Sequence, residues 1–511
     1  MNKIRGAIFL LAIAIVGLGV YWLADKYYFS PRRVAQTSDA VPIRVIVRAG
    51  GDGYTGYYFL TCAEMKKQLA RRGIGLDFKD DGGAYADRLE KFAKGQLDCI
   101  VLPVADYLRH GKEYDYPGVI VVAISESKGA DAIVGWSDVL PTGTVNDLND
   151  SDLRIAYTSA SPSSFLLDIH IDRFDLYNLK SSNSWRHETE SSEAAYDSLL
   201  SHQVDVAVLW EPWVLRALEK PGIVKISGSD RTREYIKDVF VFSRDFLSKE
   251  KNRQAVLDFL DIYFRVLDSY SLNKDKLIEE ISKSEKMRKD QVDTLLQEID
   301  WYNLEENCYS QFGLDGKDDD LVYTIIQCSK VLVESGVFSS DPLKLGDPYS
   351  IINSSFLEEL AKKKSVNPSK ALNQVADFKP LDDVGWAGLK EFGMMRADPI
   401  YFDPASDLLT DAGKSAVSNV VELFKKSFPS QRLLVIGNTI GGDESANVAL
   451  SKRRADVVAQ YMIVLGIDPD RIHPKGAGSS RPPTKRPGEN AREYRYRMSR
   501  VEFVLLDENT L

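Results

Sequence analysis

The chain has 511 residues, more than one hydrophobic core usually serves, and at roughly 100 to 200 residues per domain it should divide into about three units. A hydrophobic share of 44% beside 27% charged residues is that of globular protein and excludes a disordered, collagen-like or polytopic membrane chain. With 65 Lys and Arg against 75 Asp and Glu, the formal charge of -10 repels polyanions and argues against nucleic acid as a partner.

Residues 6 to 24 (GAIFLLAIAIVGLGVYWLA) carry no charge, and a helix rising about 1.5 Å per residue over that run nearly spans a hydrocarbon layer of roughly 30 Å. Lys3 and Arg5 precede it, and Trp22, Tyr27 and Tyr28 stand where an interface would be. We read residues 1–25 as an uncleaved membrane anchor or signal and 26–42 as a spacer. A cleaved signal peptide is the alternative, disfavoured by the poor cleavage site around Ala24.

From Val41 short β-rich runs alternate with amphipathic stretches: IRVIV (43–47), a helical pattern from Tyr57 to Arg72, LDCIVLP (97–103) and VIVVAIS (119–125). This alternation predicts βαβ units and a parallel, helix-covered sheet. A second set runs from RIAYT at Arg154 through SSEAAYDSLL and VDVAVLW (204–210) to VFVFS (239–243). Two α/β lobes in sequence imply a cleft between them. Residues 247 to 363 read as mostly helical, and a polar linker over 364–383 leads to a third unit, 384–511, with strand and helix patterns of an α+β layer.

Chemistry-bearing residues cluster after the predicted strands. In GGDGYTG (50–56) the glycine spacing fits neither a Walker nor a Rossmann loop, because Tyr57 stands where the phosphate-binding Lys belongs. A flexible turn is one reading. A ligand loop walled by Tyr54 and Tyr57 is the other. Ser161, Ser163 and Ser164 surround Pro162 at a predicted helix start, either as caps or as receivers of a sulfonate, nitrate or carboxylate. Asp106, Ser127, Asp131 and Glu211 occupy further strand ends. Five histidines fall in no HExxH or His/Cys cluster, and there is no GxSxG elbow, so metal, cofactor and catalysis are all unsupported: the chain reads as a binder rather than an enzyme. The Asp315 to Asp320 run fails the EF-hand spacing and reads as a solvated turn. Cys62, Cys99, Cys308 and Cys328 allow either two local disulfides, Cys62/Cys99 and Cys308/Cys328, or four buried thiols.

The Gly-Tyr loop, GADAIVG, SPSSF, VDVAVLWEPW, VFSRDFL and DPYSIINSSFLEEL, in that order, make residues 43–363 resemble the ABC-transporter solute-binding proteins of the nitrate, sulfonate, taurine and thiamine-precursor group. The resemblance implies a type 2 periplasmic-binding fold closing by hinge motion on a small anionic or zwitterionic solute, with an ABC permease as a candidate partner. YFDPASDLLT, VIGNT and NVALSKRRADVVAQYMIVLGIDPDRIHPKGAGSSRPP resemble the OmpA-like peptidoglycan-binding domain. That family holds a diaminopimelate residue between an Arg in its L-S-x-x-R-A helix and an Asp in a G-H-T-D loop. The resemblance carries the Arg onto Arg454, the helix-start Asn onto Asn447 and a terminal Arg onto Arg495, whereas the loop here reads Gly437, Asn438, Thr439, Ile440, so the acid is missing, and Met498 replaces a later Asn. Asp443 is a candidate replacement, and Asn447 and Arg454 should face the 438–443 loop from one side of their helix. The basic end (Arg481, Lys485, Arg486, Arg492, Arg495, Arg497, Arg500) is either a solvated strand and loop or an attraction site for anionic wall polymer. These features predict a protein anchored in the bacterial inner membrane, facing the periplasm, that binds solute and wall. The rival is a structural or sensory envelope protein whose lobes report to partners.

Overall fold

The structure, a computed structural model, describes residues 14–29, 41–317, 319–367, 378–403, 406–441, 443–486 and 488–507. In chain order the first lobe opens with β1 (Val45–Gly51), α1 (Ala63–Arg71), β2 (Ile74–Asp80), α2 (Tyr85–Ala93), β3 (Cys99–Pro103), α3 (Val104–Gly111) and β4 (Gly118–Ser127). The chain then crosses into β5 (Asp131–Trp136), β6 (Ile155–Thr158), α4 (Pro162–Arg173), β7 (Arg186–Thr189), α5 (Ser192–Leu200), β8 (Val206–Trp210) and β9 (Ile223–Gly228). It returns through β10 (Lys237–Ser243), the long α6 (Glu250–Ser271), β11 (Ile299–Trp301) and α7 (Asp320–Glu334).

Lobe one is a six-stranded sheet ordered β11-β4-β10-β3-β1-β2, and lobe two a five-stranded sheet ordered β7-β6-β8-β5-β9. The βαβ units are parallel as expected: β1 pairs with β2 and β3, and β6 with β7 and β8. Each sheet also holds a strand that has just crossed over, β10 in lobe one and β5 in lobe two, and each runs antiparallel to both neighbours. A strand arriving from the other lobe enters its sheet from the opposite end, which sets that direction. VFVFS, expected in the second lobe, is therefore β10 of the first. Strand β2 was not anticipated, because IGLDFKD at a sheet edge is half-solvated and lacks an apolar run.

The C-terminal unit comprises β12 (Lys390–Met395), α8 (Asp411–Ser427), β13 (Arg432–Asn438), α9 (Glu444–Val464), β14 (Ile472–Gly476), α10 (Ala491–Met498) and β15 (Arg500–Asp507), with sheet order β12-β15-β13-β14. Helix α9 lies directly on β13 where Gly437 removes the side chain: a Cβ there would stand 2.0 Å from the Ser451 carbonyl oxygen. The unit's core is continuous with that of lobe two. Phe174, 2% exposed at the end of α4, meets Phe392 and Phe428 edge-on at centroid distances of 5.3 and 6.0 Å. Around the rings the Arg396 amide donates to the Arg173 carbonyl at 2.7 Å, and Arg231 and Arg486 pair with Asp507 and Asp175 across the junction. Ties also reach helix α7 of lobe one, among them Lys426 to Asp320 at 2.5 Å and Arg396 to Glu334 at 3.9 Å.

All four cysteines are free and buried, as in the second of the two expected alternatives. Asp319 caps α7 and Lys317 closes on Asp315, as a solvated turn should. A helix ends at residue 24 and passes into a π turn, Asp25–Phe29. Among the described residues no helix is long and apolar enough to cross a membrane; residues 1–13, with much of the expected anchor, lie outside the described residues.

Candidate functional site

The lobe-one wall of the cleft is built at the carboxyl ends of β1, β2 and β3. Gly51 ends β1, where Val101 and Phe78 press within 2.6 to 2.9 Å of any Cβ, so the chain turns at once into Asp52. Asp52 accepts from the Tyr54 amide at 3.0 Å and from Arg88 at 2.9 Å. Arg88, fully buried on α2, also grips Asp81 through Nε and a terminal nitrogen (2.7 and 2.5 Å) and donates to the Val101 carbonyl at 2.5 Å. Its donors are thus spent on the scaffold. Tyr57 stacks edge-on to Tyr54 at 5.4 Å and donates its hydroxyl to Asp238 at 2.5 Å.

Unpaired groups occupy what this scaffold leaves over. Asp106, in the first turn of α3 and 1% exposed, has no hydrogen-bond partner at either carboxylate oxygen, and the buried Tyr54 hydroxyl also has none. Burial raises the Asp106 carboxyl to about 7 against the opposing pull of Arg109 and Arg88. Asp131, donated to by Ser127 at 2.6 Å, is raised by burial to about 6. Asp238 is pushed well above the carboxylate range, first by burial and then by the nearby acids, despite the bond from Tyr57.

Lobe two presents the start of α4. Ser161 caps it, accepting from the Ser163 amide at 3.2 Å, while the Ser164 hydroxyl accepts from the Ser161 amide at 3.1 Å. The capping reading therefore holds for these two residues. The Ser163 and Thr158 hydroxyls are buried with no partner. Arg109 of lobe one donates to Ser164 at 3.2 Å and lies 4.0 Å from Asp168 of lobe two, so the lobes are in contact. Glu211 follows β8; one oxygen accepts from the Leu215 amide at 3.3 Å. Its other oxygen is unpaired, as is one of Glu298 just before β11. Burial and then the neighbouring Glu298 raise Glu211 to about 8.

The expected site residues thus separate. Asp106, Tyr54 and Ser163 carry unpartnered groups. Ser127 bonds Asp131 and Ser229 where the chain crosses between lobes and belongs to the hinge. Tyr57 is buried and committed to Asp238. No hydrogen bond joins Tyr54, Ser163 and Glu211 among the described residues; Glu211 sits beside Glu298, whose charge reaches Tyr54. Arg88, Asp238 and Glu298 escaped the sequence reading. Arg88 lies among Asp87, Glu90 and Lys91 in a helix that looks solvated, and only the fold turns it inward.

In the C-terminal unit Asn447 is buried, its carbonyl accepting from the Thr439 hydroxyl at 2.9 Å. Arg454 does not point at the 438–443 loop. It donates to the Ser406 carbonyl at 3.0 Å and to the Ser499 hydroxyl at 3.3 Å, with its guanidinium 4.7 Å over Phe402. Seven positions is about two turns, but the long side chain is drawn to the aromatic face and the carbonyl. Ser499 precedes Arg500, the register partner of Asn438, so both groups stay at one end of the sheet. Asp443 caps α9, accepting from the Ala446 amide at 3.1 Å, and is not a free substitute for the missing acid. Arg495 is exposed on α10, a helix where a loop was expected, with its Nε bonded to the Ala491 carbonyl at 3.2 Å. Arg481, Arg497 and Arg500 pair with Glu502 or Glu489, and Arg486 with Asp175 of lobe two, so much of the basic end serves internal pairing and docking.

Two α/β lobes joined by two crossings around a buried polar cleft define the two-lobed binding-protein fold, here carrying a C-terminal α+β unit. Residues 401–496 of that unit match the OmpA family. It is similar to the probable lipoprotein YiaD of Escherichia coli (36% identical over 84 residues, 16% of this chain and 38% of the relative) and to outer membrane protein A of Bordetella avium (31% over 107 residues, 21% and 53%). The chain spans less than two thirds of either relative. Among solved structures it is similar to the periplasmic aliphatic sulphonate binding protein SsuA of Escherichia coli (15% identity, TM-score 0.46, 58% of this chain and 94% of that one). It is also similar to the periplasmic nitrate-binding protein NrtA of Synechocystis (11%, TM-score 0.46, 63% and 89%).

Proposed function

We propose that the chain is an envelope-anchored solute-binding protein: residues 43–363 capture a small solute between the lobes, residues 384–511 hold peptidoglycan, and the apolar run of residues 6–24 fixes the chain in the inner membrane with its bulk in the periplasm. The observation that carries the reading is the set of buried, unpartnered polar groups in both lobes, Asp106 and Tyr54 in lobe one and Ser163 and Thr158 in lobe two, with Asp106 and Ser163 next to the contact between Arg109 and Ser164 that joins the lobes. Buried groups of this kind cost about 1 to 3 kcal/mol each unless something pairs with them, and a solute is that something. A two-lobed binder needs such groups and no nucleophile with its base, in keeping with a protein that is not an enzyme.

Wall binding rests on the OmpA-family match and on Arg454, whose second terminal nitrogen makes no hydrogen bond among the described residues and is the donor proposed to meet a stem-peptide carboxylate. Delivery to an ABC permease is the transport form of the proposal. The sensory form is favoured by one observation, the docking of the C-terminal unit on lobe two with a tie to lobe one, which would pass lobe movement to the wall. Thermal shift of the full chain against sulfonates, nitrate, amines and pyrimidines tests solute capture: a ligand at 100 times its dissociation constant adds about 2.7 kcal/mol, and a flat response to every class would sink it.

A further inference from the structure

We infer that the solute is an organic cation whose ammonium group pairs with Asp106 in the cleft, an inference that rests on the solute-binding reading and narrows it. The charges facing the cleft carry it. Asp52, Asp106, Asp131 and Asp238 are each felt electrostatically by one another or by Tyr54, and they come from the end of β1, α3, the start of β5 and β10, from both sides of the hinge. Basic groups near them are fewer and occupied. Arg88 is saturated by Asp52, Asp81 and the Val101 carbonyl. Arg109 donates to Ser164 and lies 4.0 Å from Asp168, while its buried Nε has no partner.

Buried carboxyl groups therefore outnumber free basic groups: an entering anion would find few donors and no free cation to pair with, whereas a cation would find a carboxyl whose charge burial alone disfavours and which its own charge would restore. A cation reverses each term. It supplies N–H donors to the two unpaired oxygens of Asp106, and the Tyr54 and Ser163 hydroxyls, also buried and unpartnered, are independent of the acids and can accept or donate to the remainder of the solute. The face of Tyr54 adds a surface on which cations are attracted. Among the described residues no group of three or more His, Cys, Asp or Glu is arranged to hold a metal ion, so the charge belongs to an organic ligand.

The test is isothermal titration of the detergent-solubilised full chain with ethanolamine, agmatine and putrescine as cations, taurine as a zwitterion, ethanesulfonate and nitrate as anions, and magnesium and calcium chloride. We expect at least one organic cation to bind at least tenfold more tightly than every anion, and Asp106→Asn to lose at least tenfold in that affinity while melting no lower than the parent without ligand. Tighter binding of taurine than of any cation would make Arg109 the deciding group and overturn the inference, as would binding of a metal ion in preference to the amines. An anion that binds best overturns the inference while leaving solute capture standing. Silence across the panel overturns both. An Asp106→Asn variant that keeps full affinity for the cation removes Asp106 from the site.

Discussion

Replacing Arg233 tests how the crossing between the lobes is held. Glu126, 1% exposed at the end of β4, accepts from Arg233 Nε and a terminal nitrogen at 3.0 and 2.7 Å, from the Tyr302 hydroxyl at 2.9 Å and from the Glu234 amide at 2.5 Å. Arg233 also reaches Asp300 at 2.7 Å. Burial alone would raise the Glu126 carboxyl, but Arg233, Lys237 and the Glu234 amide overcome it and hold the group at about 2. A fall from 4.5 to about 2 corresponds to about 3 kcal/mol, within the roughly 3 to 5 kcal/mol expected for stranding one partner of a buried pair. Because the folded value is depressed, this stability is present above pH 4.5 and is lost as pH falls through about 2. Arg233→Met should therefore lower the stability of the two-lobed unit by about 3 to 5 kcal/mol at pH 7, and by less at pH 4, where the stranded carboxyl takes a proton. Calorimetry of the parent, Arg233→Met and Glu126→Gln/Arg233→Met at both pH values reads this out, the double variant recovering at least half of the loss because no uncompensated charge remains. A single-variant loss under about 1 kcal/mol, or one that does not shrink toward pH 4, would refute the account.

At the domain junction Phe174→Ala removes the ring that meets Phe392 and Phe428 and should cost about 3 to 5 kcal/mol; small-angle scattering should show an expanded particle, and an unchanged radius would mean that the polar ties alone hold the C-terminal unit. In a sedimentation assay with purified sacculi, Arg454→Ala should abolish binding, a charge-assisted bond contributing about 1.5 to 3 kcal/mol, and Ile440→Asp should strengthen it several-fold by restoring a partner for the stem ammonium. Sedimentation of Arg454→Ala like the parent would assign the unit another surface. The four buried thiols, with burial raising each of them, should react with a thiol reagent only after denaturation; fewer than four in the unfolded chain would reveal a disulfide.

What could be read from the sequence was whatever depends on near neighbours. The cap on α4 follows from Ser161, Pro162 and Ser164 within four residues, and the βαβ runs follow from apolar periodicity. Direction of pairing is a long-range property, so β10 went to the wrong lobe: its alternation is the same in either sheet, and only the second crossing decides. Helix α10 was missed for a different reason. AREYRYRM has no buried residue, and the helix begins from Asn490 and Glu493 bonding each other's backbone amides, a local signal hidden behind a Pro-rich approach. The cleft shows the limit most clearly. Asp106 and Asp131 stood out only by their place after predicted strands, and Asp52 and Asp238 looked like ordinary surface acids in a chain of charge -10, because burial is supplied by segments distant in sequence and leaves no trace in the residues beside each acid. Ser163 makes the same point in reverse: its neighbours Ser161 and Ser164 satisfy each other, and their satisfaction is what leaves the third hydroxyl of the run without a partner.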